Sequence, residues 1–239
     1  MKSAYAELQV TTNFSFLRGA SHADELVATA KALGFAAIAV TDRNTLAGIV
    51  RAHVAAKEAG IRLIVGARLD LDDAPSLLCY PTCRAAYGRL SRLLSLGQGR
   101  TGKGGCRLRL ADVAVHAEGQ ILVALAPDGW DWREAVPGEP GSTAPTASFE
   151  VALARIKDAL GPAPLHLALS RRHAGSDRAH LAALAAIGHR LGLPLVATGD
   201  VLYHAAHRRP LQDVLTCIRE GVTISGAGLR LARNAGRHL

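Results

Sequence analysis

Short apolar stretches of strand length alternate with helical periodicity along most of this chain, and that alternation limits its fold more than any other feature. "AELQV" at residues 6–10 reads as a strand with apolar alternation, and "AAIAVTD" at 36–42 as a strand covered on both faces, as in a parallel sheet. Between them Leu26, Val27, Ala30 and Leu33 share one helical face, after a capping-box-like start at Ser21 and Asp24 and before a stop at Gly34. Asn44 or Thr45 is placed to cap a second helix with Leu46, Ile49, Val50 and Val54 inward, Gly60 ends it, and "IRLIVGARLDL" supplies the next strand. Two successive βα units require parallel strands joined by right-handed crossovers. The series continues with "SLLCYP", a basic helix over 83–96, "QILVALAP", a helix carrying Phe149, Leu153, Ile156 and Leu160, and "PLHLALS". A helix over 176–191, "LPLVATGD" and a last helix "PLQDVLTCIREG" follow, with Pro210 in its first turn and Gly221 closing it. The segment 127–148, which holds Trp130, Trp132 and four of the ten prolines, reads as a surface excursion. About seven strands predict an α/β fold closed or nearly closed into a barrel, a single domain over 1–239, with an open doubly wound sheet as the alternative.

In such folds the chemistry sits at the carboxyl ends of strands, here Thr11 to Asn13, Asp42 to Asn44, Arg68, Ser170 to His173, and Asp200. Asp42 and Asp200 end buried strands in nearly identical contexts, "AVTDR" and "VATGD". An Asp there often caps the following helix; the functional alternative is a hard-metal or acid–base pair. Two acids and one His make a thin site, because tight divalent binding generally takes three or four protein ligands, and Arg43 and Arg68 oppose a cation further. "GQGRTGKGG" (residues 97–105) partly matches a phosphate loop, but Gly104 stands where Ser or Thr should hold magnesium, and a helix precedes it where a strand is required. No Gly-x-Ser-x-Gly elbow occurs, and the histidines are scattered: His204 and His207 read as surface, His53 as the edge of the core.

The formal charge of +8 suits contact with nucleic acid or another polyanion. Seven Lys or Arg and no Asp or Glu lie between Ala74 and Ala111, a solvated basic face in the plainer reading. Apolar runs fall short of the ~20 residues of a membrane span, and Cys79, Cys83, Cys106 and Cys217 form no spaced framework. The expectation is a cytoplasmic protein with reduced thiols and no membrane contact.

Three segments, "YAELQVTTNFSFLRGASHADELV", "AIAVTDRNTLAGIVRAHVAAKEAGIRLIVGARL" and "LPLVATGDVLYHAAHRRPLQDVLTCIREG", closely resemble the N-terminal polymerase-and-histidinol-phosphatase (PHP) domain of bacterial C-family DNA polymerases, in particular the error-prone, damage-inducible branch. The resemblance covers nearly the whole chain in order. It implies a distorted seven-stranded β/α barrel that, in active members, holds up to three divalent metals and hydrolyses phosphoesters. Carried over by position, the His-x-His of the first strand falls at Gln9 and Thr11, and the Asp-His pair at Asp42 and Arg43. The Glu after the third strand falls at Arg68, a His opening the next strand near Ser76, and the last Asp-x-His at Asp200 and Leu202, with His173 a loose match to another ligand. Metal ligands thus reduce to Asp42, Asp200 and His173, and the expectation is a salt-bridged plug in which the two acids meet Arg43 or Arg68, without catalysis.

The resemblance implies a non-catalytic structural domain of a polymerase engaged in damage-induced, translesion synthesis, braced against the remainder of that chain. Arg84, Arg89, Arg92, Arg100, Lys103 and Arg107 are the expected contacts to DNA or a partner, with translesion accessory proteins or a sliding clamp as further partners. No cofactor is expected in this domain; magnesium belongs to the nucleotidyltransferase palm, which this chain lacks, so that as a fragment or truncated product it is not expected to synthesise DNA. A working metallophosphoesterase and a stand-alone polymerase-binding module are the alternatives.

Overall fold

The computed structural model describes residues 5–128, 130 and 145–239. Strands and helices alternate from the start. β1 (Ala6–Val10), α1 (Ala23–Ala32), β2 (Ala37–Val40), α2 (Ile49–Ala59), β3 (Arg62–Val65) and β4 (Ala67–Leu69) lead to β5 (Leu77–Pro81) and α3 (Arg84–Gly99). Then come α4 (Leu110–Val115), β6 (Gln120–Ala124), α5 (Pro145–Leu160), β7 (Leu165–Ser170), α6 (Asp177–Leu191), β8 (Leu195–Thr198) and α7 (Arg209–Glu220). The chain divides into two compact units. The first holds Met1–Ala67, Arg172–Ala174 and Thr198–Leu239; the second holds Arg68–Arg171 and Gly175–Ala197.

In the first unit β1, β2 and β3 pair in that order, all parallel, as two βα units demand. Val10, Ile38 and Val40 are fully buried beneath α1 and α2, where Leu26, Val27 and Ala30 meet Ala56 and Ile61. α2 buries Ile49, Ala52 and Ala56, while Val50 and Val54, expected inward, are 74% and 49% exposed. Small alanines let α2 lie close against its neighbours, and that rotates the larger valines, and His53 with them, out to solvent. The cap of α2 is Gly48 rather than Asn44 or Thr45. That of α1 is His22 rather than Ser21, with Glu25 Oε2 accepting the His22 N–H at 2.9 Å. α7 begins and ends as read, with proline in its first turn and Gly221 in the left-handed region at φ 64°.

The other sheet has the order β4-β5-β6-β7-β8. Strands therefore number eight among the described residues rather than seven, because "IRLIVGARLDL" divides at Gly66, whose N–H turns to the Val40 carbonyl at 3.1 Å. β5 and β6 pair antiparallel, with Leu77 opposite Ala124 and Pro81 opposite Gln120. This departs from the all-parallel expectation, since a buried apolar strand carries no mark of its direction. β6 and β7 return to parallel pairing. In this second unit Trp130 is buried, its ring 5.4 Å from Phe149 and 5.3 Å from His180. The segment read as a surface excursion thus contributes a core residue at 130, while Trp132 lies outside the described residues.

Candidate functional site at the strand ends of the first unit

β1 inverts the usual strand pattern. Glu7 and Gln9, on one face, are buried to 3% exposure each, and Thr11 continues that face at 4%. Burying polar side chains in a row is costly unless each finds partners. Here they do. Glu7 Oε1 accepts the N–H of Gln9 at 2.8 Å and of Gly199 at 3.0 Å, and Oε2 accepts the Tyr5 hydroxyl at 2.7 Å. Gln9 Nε2 donates to Asp200 Oδ1 at 2.8 Å, and its Oε1 accepts the Thr198 hydroxyl at 2.8 Å. A Cβ at position 199 would stand 2.5 Å from Glu7 Oε2, so this close approach requires the glycine.

Asp200 is the centre of this cluster, at φ 49°, a backbone region unfavourable to side chains other than Asn, Asp and Gly. Its second oxygen and its carbonyl are both taken by Arg237: Nη2 pairs with Oδ2, and Nε donates to the carbonyl at 3.0 Å. The segment carrying Arg237 is laid down by several ties. Leu202 N–H donates to the Arg237 carbonyl at 2.9 Å, and Tyr203 bridges to His238. Asn234 Nδ2 reaches the carbonyls of Arg172 and His173 at 3.1 and 2.9 Å. His173 is exposed at φ 52°, and its ring leaves no room for a Cβ at Gly236.

Asp42 is 1% exposed and is held by a different kind of partner. Oδ1 accepts the Thr12 N–H at 2.8 Å and the Ser15 hydroxyl at 2.7 Å, while Oδ2 accepts the Thr12 hydroxyl at 2.8 Å. Ser15 Oγ in turn accepts the Arg43 N–H at 2.9 Å. Burial pushes the Asp42 carboxyl above the usual carboxylate range, and these hydrogen bonds pull it back in part. The same opposition acts at Glu7, where burial again outweighs the hydrogen bonds from Gly199, Tyr5 and Gln9. Gly48 is constrained here, since a Cβ would sit 2.7 Å from Asp42 Oδ2.

The residues expected at a site therefore divide. Gln9, Thr11, Asp42, Arg43, His173, Asp200 and Leu202 belong to the first unit, and Arg68 and Ser76 to the second. There Arg68 Nε donates to Asp70 Oδ1 at 2.8 Å and Nη2 to Ser76 Oγ at 3.2 Å, while Ser76 Oγ donates to Asp70 at 2.7 Å. The expected cation for Asp200 was Arg43 or Arg68; the structure supplies Arg237, and it gives Asp42 hydroxyls and an amide. Glu7, Ser15 and Arg237 are the members that sequence reasoning missed, whereas Thr12 lay within the strand-end stretch already singled out. The signal for Glu7 was in view, as a carboxylate on the same strand face as Gln9 and Thr11. Arg237 lies in a segment without periodicity. His204, read as surface, is 16% exposed, with Nδ1 2.8 Å from Ser21 Oγ and 3.8 Å from Glu25. Burial holds its imidazole below the ordinary histidine range despite the nearby carboxylate.

Among the described residues, no group of three or more His, Cys, Asp or Glu side chains is placed to hold a metal ion, and no helix is long and apolar enough to cross a membrane. In the basic stretch of the second unit, half the expected contacts are engaged internally. Arg100 forms a two-pronged pair with Asp112, Arg107 meets Asp72 at 3.0 Å, and Arg89 meets Glu118 at 3.3 Å. Arg84, Arg92 and Lys103 are exposed, with no ion pair among the described residues.

Comparison with known proteins agrees with this architecture. The chain is 52% identical over 98% of its length to an error-prone DNA polymerase of Caulobacter vibrioides, and 48% identical over 98% to error-prone DNA polymerase 1 of Agrobacterium fabrum. It spans about a fifth of the length of those relatives, 20% in each case. An amidohydrolase from Chromobacterium violaceum, solved with sulfate and without metal, shares the fold with a TM-score of 0.58 and 17% identity, over 84% of this chain and 88% of that one. The PHP domain model matches residues 7–169, and with the relatives' identity it shows that this chain belongs to the PHP domain family.

Proposed function

We propose that this chain is the PHP domain of an error-prone DNA polymerase and serves there as a structural brace, not as a phosphoesterase. One observation carries the reading: both carboxylate oxygens of Asp200 face donors, the Gln9 amide on one side and the Arg237 guanidinium on the other. A divalent ion needs those oxygens' lone pairs, and a guanidinium beside them repels it. Asp42 is committed as fully, to three hydrogen bonds from Thr12 and Ser15. The donor set does not fit the metal centre that the family resemblance implies, and hydrolysis through such a centre has no ligands to support it among the described residues. What remains is a polar lock joining β1, the end of β8 and the chain's last residues. A lock of that kind suits a domain whose task is to keep its shape against a larger body.

Metal analysis of the purified chain, expressed with manganese, zinc and iron in excess, tests this directly. The expected result is substoichiometric metal and no chelator-sensitive hydrolysis of a generic phosphoester. A bound ion at one or more per chain, lost in Asp200→Ala, would overturn it. Contact with DNA, in this reading, is weak and electrostatic through Arg84, Arg92 and Lys103. Neutralising those three together should abolish the salt-dependent binding; unchanged affinity would return the stretch to ordinary surface.

A further inference from the structure

α7 is turned inside out. Its buried residues are Gln212, Thr216 and Cys217, whereas Leu211, Val214 and Ile218 are 41%, 43% and 59% exposed. Spaced at i, i+3 and i+7, these three make one continuous apolar stripe on the side opposite the buried residues. The buried polar groups are only partly accommodated: Thr216 Oγ donates to the Gln212 carbonyl at 2.9 Å, but Gln212 Oε1 has no hydrogen-bond partner among the described residues. An isolated domain gains nothing from burying Gln and Thr while showing Leu, Val and Ile to water.

Two further exposed apolar residues lie near the end of the helix. Arg219 Nη1 donates to the Leu17 carbonyl at 2.8 Å, tying the loop that carries Phe16, 82% exposed, to the end of α7. Leu17 sits at φ 57°, a backbone region unfavourable to leucine. Ile224, 53% exposed, follows just past Gly221. Arg209 pairs with Asp213 and Arg219 with Glu220, both at 3.1 Å, away from the centre of the stripe. The stripe itself, at positions 211, 214 and 218, carries no charged residue and is suited to an apolar partner.

We propose that Phe16, Leu211, Val214, Ile218 and Ile224 form the docking face for an apolar surface of the polymerase body, the four fifths of the relatives' chain that lies outside the matched portion. This rests on reading the chain as a polymerase domain. A body joined covalently to the domain is present at high effective concentration, so a face of modest area is sufficient.

Hydrogen exchange over residues 211–220 tests it, measured in this chain alone and in a chimera where it replaces the matched fifth of the Caulobacter vibrioides polymerase. The expected result is exchange about tenfold slower in the chimera. The triple variant L211S/V214S/I218S should cancel that protection while leaving the melting temperature of the chain alone nearly unchanged. Equal exchange in both proteins would overturn the proposal. So would a chain that dimerises alone and becomes monomeric in the triple variant, since the occupant would then be a second copy. Stoichiometric metal in the isolated chain would break the structural-brace reading and leave the exchange result standing, so the two failures are separable.

Discussion

Asp42 and Asp200 occupy almost the same sequence setting and solve the same problem in opposite ways. Asp42, at 1% exposure, is satisfied by donors from the loop just after β1: two hydroxyls and an amide within five residues of each other. Asp200, whose side chain is 24% exposed, is satisfied by a strand neighbour and by a guanidinium 37 residues further along the chain. The contrast teaches that a carboxylate at a strand end can be neutralised without a metal either by dipoles or by charge. Depth decides which is economical, since a fully buried ion pair pays twice for desolvation and fixed dipoles do not.

The sharpest way to break that contrast is Asp42→Ala. It removes one acceptor and strands the Thr12 N–H, the Thr12 hydroxyl and the Ser15 hydroxyl in the interior, so about 3 kcal/mol of stability should disappear in a urea titration. The loss should be the same at low and high salt. A loss under about 1 kcal/mol would mean that water reaches the pocket and that Asp42 is not structural in the sense argued.

Arg237→Ala should cost less, about 1 kcal/mol, because the pair it breaks is partly solvated. Its effect should shrink as sodium chloride is raised, which the Asp42 variant should not share. If both variants respond equally to salt, the distinction between dipoles and charge fails.

The smallest expected effect concerns Glu7, which holds Gly199 beside Asp200. Burial raises its carboxyl above the usual range, so the folded chain holds this proton more tightly than the unfolded chain does. Acidification from neutral pH toward the ordinary carboxylate range therefore favours folding at this group, and rising pH opposes it. The melting temperature of the wild type should gain on that of Glu7→Gln as pH falls from about 7 to about 5. A gap that stays constant with pH would mean that Glu7 titrates normally.

Much of this could be read from the residues. The βα alternation, the two aspartates at strand ends and the limits of α7 follow from periodicity, from glycine and proline, and from the rule that strand ends carry polar groups. What was hidden has physical causes. Antiparallel pairing of β5 with β6 leaves no trace in apolar composition. α4, at six residues, is too short to show a period. The outward valines of α2 reflect how closely alanines at 52 and 56 let it approach, a tertiary matter. Arg237 was illegible because nothing local places it; only folding brings its segment to residue 200. Glu7 was overlooked because a charged residue in a strand is ordinarily taken to face water.

The pinned tail has a practical corollary. Residues 234–239 are fastened through Asn234, Arg237 and the bridge from His238, and Leu239 packs against the apolar cluster around Val10 and Leu26. Anything joined after Leu239 would start from a moored point with a defined heading, not from a swinging tether. Affinity tags and fluorophores added there would tug on Asp200, so labels intended to be silent belong elsewhere.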